Sequence, residues 1–230
     1  MKSKKIKGKR PMLWSKKSLI SKDLLGFDSL FRSWIKVQRS YFNAFEPKLC
    51  ETSFGYRERP QVSLLGTAVF LSKGVCLQEY QLFKKQNKRV GRNDLWLQLR
   101  PGYPKYEYLT EAKFDWIGLE KDYKERFEKL INSSTDSVKK LSSNPAGEKP
   151  RRLALAFGAL TYPNKRIVSE ADREREKFFE SLDRACKKHK IDGWAGIWVN
   201  AAEFFSSLNL QKGHTAVGLV MLAKSIDPAY

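Results

Sequence analysis

The sequence predicts an α/β protein in which a mixed central β-sheet is flanked by helices and preceded by a basic N-terminal arm. Three observations predict it. Apolar residues recur at helical spacing in several segments, alternate at strand spacing in three consecutive segments, and form one short, almost wholly apolar run, 153–160, of the kind buried on both faces of a sheet. The 230 residues, 41% hydrophobic and 13% aromatic, suffice for one domain with a real core.

Residues 1–22 are predicted as the arm: positions 1–20 carry eight basic side chains and no acid, which suits a solvated tail or a phosphate-binding segment. Residues 23–230 then read as one domain. Leu30, Phe31, Trp34, Ile35, Phe42 and Phe45 repeat with helical periodicity, so a helix is expected over 27–45, ended by Pro47. The polar stretch 51–60 connects to a second helix that begins near Pro60, carries Val62, Leu64, Leu65, Val69 and Phe70, and stops near Gly74. The period then changes. Residues 75–83 alternate apolar and polar, 94–99 set Leu95, Leu97 and Leu99 against Asp94, Trp96 and Gln98, and after a Pro-Gly-Tyr-Pro turn 106–114 return as a third strand of a meander. A charged helix over 119–141, a loop over 142–150 and the apolar strand 153–160 follow. Next come a helix over 169–188, a strand over 191–199, a short helix over 201–208 and a last strand over 214–223. A meander followed by strand-helix-strand crossovers implies a mixed sheet with helices on both faces.

Charge bounds the partner. Lys and Arg number 44 against 25 Asp and Glu, a formal net charge of +19, so a polyanion is expected: nucleic acid first and an anionic membrane surface second. No apolar stretch has the length of a signal peptide or a membrane span, so a cytoplasmic protein is expected. Three cysteines without close spacing argue against a disulfide framework or zinc knuckle, and His189 and His214 lack partners at ligand spacing. Trp14, within the basic arm, could stack on a base.

Acid-x-Lys occurs three times, as Glu46-Pro47-Lys48, Glu111-Ala112-Lys113 and Asp122-Tyr123-Lys124. The first contains a helix-ending proline and the third sits on a solvated helix, which leaves Glu111 and Lys113 in a strand, where residues two apart share a face. Asp94, at the mouth of the preceding strand, supplies a second carboxylate. Such a set can hold a hard cation through oxygens and place a water beside a phosphate. The plainer alternative is an exposed edge-strand pair and a turn aspartate. Lys84, Lys85, Lys88, Arg89 and Arg92, just before Asp94, could contact neighbouring phosphates or remain solvated hairpin charge.

The order of helix with Glu58 near its start, strand, strand opening at Asp94, strand ending in Glu111-Ala112-Lys113, helix and strand resembles the PD-(D/E)xK superfamily, the restriction-endonuclease-like fold, over roughly residues 56–160. The resemblance implies a Mg²⁺-dependent nuclease, with Mn²⁺ able to substitute. Asp94, Glu111 and Lys113 would be its catalytic residues. Asp94 and Glu111 would bind metal, with the backbone carbonyl of Ala112 as a further ligand, and Lys113 would orient the attacking water. Asn93 stands where the family often has proline, and the family's helical glutamate, which would be a further metal ligand, has two counterparts here, Glu58 and Glu79. Glu58 can also be read as a helix-start acid favoured by the helix dipole. The function implied is a DNA endonuclease of a restriction, repair or phage-defence type. The alternative is a catalytically inactive nuclease-fold subunit that binds nucleic acid or scaffolds a complex, and a third reading is a basic scaffold for an acidic protein or membrane. Cutting both strands would favour a homodimer, and the lack of an evident specificity domain would favour a targeting partner.

Overall fold

A computed structural model describes residues 13–22, 24, 26–44, 53–55, 57–83, 89–99, 106–119, 122–140, 150–163, 171–199 and 214–227. In chain order these form β1 (Leu13–Leu19), α1 (Phe27–Ala44), a 3-10 turn (Ser53–Gly55), α2 (Glu58–Leu71), β2 (Val75–Phe83), β3 (Arg89–Leu99), β4 (Tyr106–Gly118), α3 (Tyr123–Lys139), β5 (Arg151–Pro163), α4 (Ala171–Lys188), β6 (Gly193–Val199) and β7 (His214–Ser225). The expected turn at 101–104, loop at 142–150 (all but Pro150) and short helix at 201–208 lie outside the described residues.

The seven strands make one mixed sheet in the order β1-β6-β7-β5-β4-β3-β2. β2, β3 and β4 form the antiparallel meander, α3 carries the chain over to β5, which runs parallel to β4, and every other neighbouring pair is antiparallel. The last strand, β7, enters between β5 and β6. β5 lies at the middle of the sheet and is buried from Leu153 through Tyr162, as its apolar run requires.

Residues 13–19, placed by the sequence in the basic arm, are instead an edge strand paired with β6 from Leu13↔Val199 to Leu19↔Gly193. The side chains of its lysines diverge: Lys16 meets Glu176 on α4 at 3.6 Å, and Lys17 hydrogen-bonds Asp28 in the first turn of α1. Trp14 lies under the guanidinium of Arg175, 3.8 Å from the ring centre, so one of its faces is already covered.

Helices cover both sheet faces. α1 buries Phe27, Leu30, Phe31, Trp34, Val37 and Phe42, with Phe27 edge-on to Tyr108 of β4 at 5.4 Å. α2 lies on the same side, where Gly66 leaves room for Cys76 and Gln78 of β2. On the opposite face Phe127 of α3 packs where Gly158 of β5 has no side chain, and Phe179 of α4 stacks on Trp194 at 5.5 Å. Phe178 of α4 and Phe127 of α3 are 6.4 Å apart and join the two helices.

α2 positions the site, and its ends explain how. Arg57 enters in extended conformation without a side-chain cap, and Pro60 falls in the first turn, where its missing N–H costs nothing. At the far end Gly74 N–H bonds back to the Val69 carbonyl, and a side chain at Gly74 would lie 2.6 Å from the Gln98 carbonyl oxygen of β3. Only glycine lets the helix turn into β2 so close to its neighbour. A buried polar group ties α2 to α1: Gln38 donates to Gln61 at 3.2 Å, Gln61 donates to the Ser53 carbonyl, and the Ser53 hydroxyl donates to Gln38. Cys76 and Cys186 are free thiols, while Cys50 lies outside the described residues.

Candidate functional site

The β3–β4 ladder runs from Leu99↔Tyr106 to Leu95↔Thr110 and ends there, while β4 continues to Gly118 paired on its other side with β5. Beyond Thr110 the strands fork. One register step past the last pair sets Asp94 level with Glu111, which explains why a strand-opening aspartate and a mid-strand glutamate meet although 17 positions separate them.

Where β3 departs, β4 turns alternate backbone groups toward the gap, because hydrogen-bonding direction alternates along a strand. Two carboxylates take the place of the missing strand. Ala112 N–H donates to Asp94 Oδ2 at 2.7 Å. Glu58, delivered from the first turn of α2, lies near enough for the Phe114 N–H to pull its carboxyl downward. Lys113, between them in sequence, brings Nζ to 4.0 Å from Glu58 Oε2, with both side chains about one-third exposed. Glu111 is 9% exposed, and its carbonyl accepts a 2.7 Å hydrogen bond from Ser134 of α3, pinning this stretch of β4.

The electrostatics follow from that crowding. Burial first, then the charge of Asp94 and more weakly that of Glu58, push the Glu111 carboxyl up to about 7 against the partial offset of Lys113. Glu58 is also raised, chiefly by burial and then by Asp94, against the opposing pull of Lys113, Arg59 and the Phe114 N–H. Three acids and one ammonium thus share a field that has too little positive charge of its own.

Of the two candidates for a third acid, Glu58 joins this group by ion pair and field. Glu79 sits in β2 between the pairs Gln78↔Leu95 and Tyr80↔Asn93, is exposed, and has left-handed backbone at φ 49°. It lies on the wall of a cleft of about 350 Å³ that Glu58 and Asp94 also line. Lys84, Lys85 and Lys88 lie outside the described residues. Arg89 and Arg92 are strand residues of β3, opposite Phe83 and Gln81, and not part of a loop.

A hard divalent cation suits the donor set chemically, because every side-chain ligand offered is a carboxylate oxygen and the acids lack neutralising charge. The group is open: among the described residues no three His, Cys, Asp or Glu side chains converge closely enough to cage an ion. Ser134, Arg59, Ser63 and Gln78 also surround the site and were missed by sequence reasoning. For Arg59 and Ser63 a signal existed, since positions 58, 59, 62 and 63 lie on one side of a helix. Ser134 and Gln78 are brought in by tertiary packing alone. No helix among the described residues is long and apolar enough to cross a membrane. No protein-family model, curated protein or solved structure matches the chain.

Proposed function

We propose that this chain is a metal-dependent nuclease of the PD-(D/E)xK type, hydrolysing phosphodiester bonds of nucleic acid, with DNA favoured. The observation that carries the proposal is the meeting of Glu58, Asp94, Glu111 and Lys113 at the β3–β4 fork. The succession α2-β2-β3-β4-α3-β5, an antiparallel meander followed by a crossover to a parallel strand, supports the restriction-endonuclease-like reading. The net charge of +19 supports a polyanionic substrate.

In this reading Asp94 and Glu111 hold Mg²⁺ or Mn²⁺. Ala112 contributes its backbone carbonyl, since a strand residue turns N–H and C=O to the same edge and its N–H already faces Asp94. The bound ion supplies charge neutralisation at the phosphate and a more acidic water. Lys113 holds the attacking water through its ammonium. Glu58, ion-paired with Lys113 and raised above the ordinary glutamate value, accepts the proton as the water oxygen bonds to phosphorus, and the bond to the leaving sugar oxygen breaks as that oxygen takes a proton from a solvent water. Ser134 keeps Glu111 in place through its main chain.

The open carboxylate group favours one competing reading, a catalytically inactive nuclease-fold subunit that binds nucleic acid. The two are separated by incubating supercoiled, linear and single-stranded DNA, and RNA, with wild type, Asp94→Ala and Lys113→Ala in Mg²⁺, Mn²⁺ or EDTA. Metal-dependent cutting by wild type alone supports the enzyme. A mobility shift without cutting under any condition sinks it.

A further inference from the structure

The positive charge of this chain is unevenly spread. Residues 1–57 hold 14 lysines and arginines against four acids, so ten of the 19 net charges fall in a quarter of the sequence, all of it before α2. Within that segment β1 and α1 meet at the margin of the sheet farthest from β2. Arg32, Lys36, Arg39 and Asn43 of α1 are all exposed, and their spacing of four, three and four puts them in one line along the helix. We propose that this line is a docking surface for the sugar-phosphate backbone of nucleic acid, separate from the carboxylates at the fork. Its charge and placement stand by themselves; only its use during cleavage rests on the nuclease reading.

Like charges three and four residues apart weaken a helix, and a bound polyanion turns that repulsion into attraction. Asp28, the one acid on the same line, is engaged by Lys17 and by Arg32 at 2.5 Å, and Arg32 stays 71% exposed while making the pair. Arg39 Nη2 donates to Ser15 Oγ at 2.8 Å and to the Leu13 carbonyl at 3.4 Å. Those bonds fix the guanidinium against β1 through one of its three nitrogens, at the end of the strand that follows six more cations in residues 1–12. From Arg32 to Arg39 the helix advances ~10 Å, a length over which a duplex presents about six phosphates at ~1.7 Å per charge. An anionic membrane fits less well, because a helix lying on lipid sets large apolar side chains beside its cations. α1 buries Phe27, Leu30, Phe31, Trp34, Val37 and Phe42 and exposes no large apolar side chain. The sheet register carries Ser15 across Ile197, Leu219 and Ala159 to Trp116 of β4, three residues past Lys113. Four strand spacings of ~4.8 Å put the Arg39 end of the line about 20 Å from the fork, roughly six base pairs along a duplex.

The test uses the full chain and a fluorescein-labelled DNA duplex of about 20 base pairs, with binding read by anisotropy in EDTA across a series of KCl concentrations. Arg32→Gln with Lys36→Gln removes two charges from the line. Lys129→Gln with Lys188→Gln removes two from exposed positions of α3 and α4 on the opposite face of the sheet, and thermal melting confirms that both double variants fold. Loss of two phosphate contacts should flatten the slope of log K against log salt by about 2, at ~0.9 per contact, and weaken binding in about 0.1 M KCl at least tenfold. The α3–α4 variant should stay within about threefold of wild type. In Mg²⁺ the α1 variant should raise KM for cleavage about tenfold and keep kcat within about twofold, because the line meets the backbone away from the scissile phosphate. Equal losses in the two double variants, or an unchanged slope, overturn the docking assignment. Lost binding to phosphatidylserine vesicles with DNA binding intact overturns it too and makes α1 a membrane face. A flattened slope together with no cleavage by wild type in Mg²⁺ or Mn²⁺ overturns the nuclease reading and leaves the docking surface standing.

Discussion

Replacing Glu111 by glutamine in metal-free protein should stabilise the fold, and by an amount that depends on pH. The folded protein holds the Glu111 proton up to a pH of about 7, whereas its ordinary value is 4.5. Below 4.5 the group is protonated in both states and contributes nothing. As pH rises from 4.5 toward 7 the unfolded chain releases the proton and the folded one does not, so stability falls, and above 7 the full cost remains. At ~1.4 kcal/mol for each tenfold change in acidity, that cost is roughly 3 kcal/mol. Glu111 is only 9% exposed, so solvent screens little of it. Glu111→Gln keeps the shape and removes the charge, so guanidinium unfolding followed by circular dichroism in EDTA should show a gain of roughly 3 kcal/mol at pH 8 and less than about 1 kcal/mol at pH 5. A gain of the same size at both pH values, or a loss at pH 8, would refute the reasoning. It would mean that Lys113 compensates the carboxylate and the site is electrostatically closed.

Mg²⁺ at a hundredfold excess over its dissociation constant should stabilise the wild type by about 2.7 kcal/mol in thermal melts and leave Asp94→Ala unmoved; an equal shift in both would place the ion elsewhere. Lys113→Met should slow hydrolysis by about 10²–10⁴-fold while gel-shift affinity for DNA stays within a few fold, and parallel losses would make Lys113 a binding group only. Gly158→Ala should lower stability by about 1–3 kcal/mol in calorimetry, because the added methyl meets the Phe127 ring at 2.5 Å and Ile117 at 3.0 Å. An unchanged melting temperature there would show that α3 can shift off the sheet.

Much of the architecture is written in local periodicity. α1, β2 and the β3–β4 pair follow the spacing of apolar residues closely, and the expected stop near Gly74 coincides with a backbone approach that no side chain permits. That Asp94, Glu111 and Lys113 lie near one another was legible for the same reason, since strand alternation fixes which residues share a face. β1 was hidden because Lys16 and Lys17 mask an alternating Leu13-to-Leu19 strand, and their partners, Glu176 and Asp28, are distant in sequence. The insertion of β7 between β5 and β6 is a matter of strand order, which no local pattern encodes. The choice of Glu58 over Glu79 likewise needed tertiary packing, because only the placement of α2 against β4 brings Glu58 within 4.0 Å of Lys113.

The two margins of the sheet are unequal. At β1, lysines tied to opposite helices flank the strand and place charge in the way of any incoming chain. At β2, Val75 and Leu77 are 39% and 52% exposed beside Phe70 and Leu71 at the end of α2, an apolar patch at the start of the strand that ends at the exposed Gln78 and Glu79. The backbone groups on the outer edge of β2 are thus less screened by charge over residues 75–77 than those of β1 are at Lys16 and Lys17.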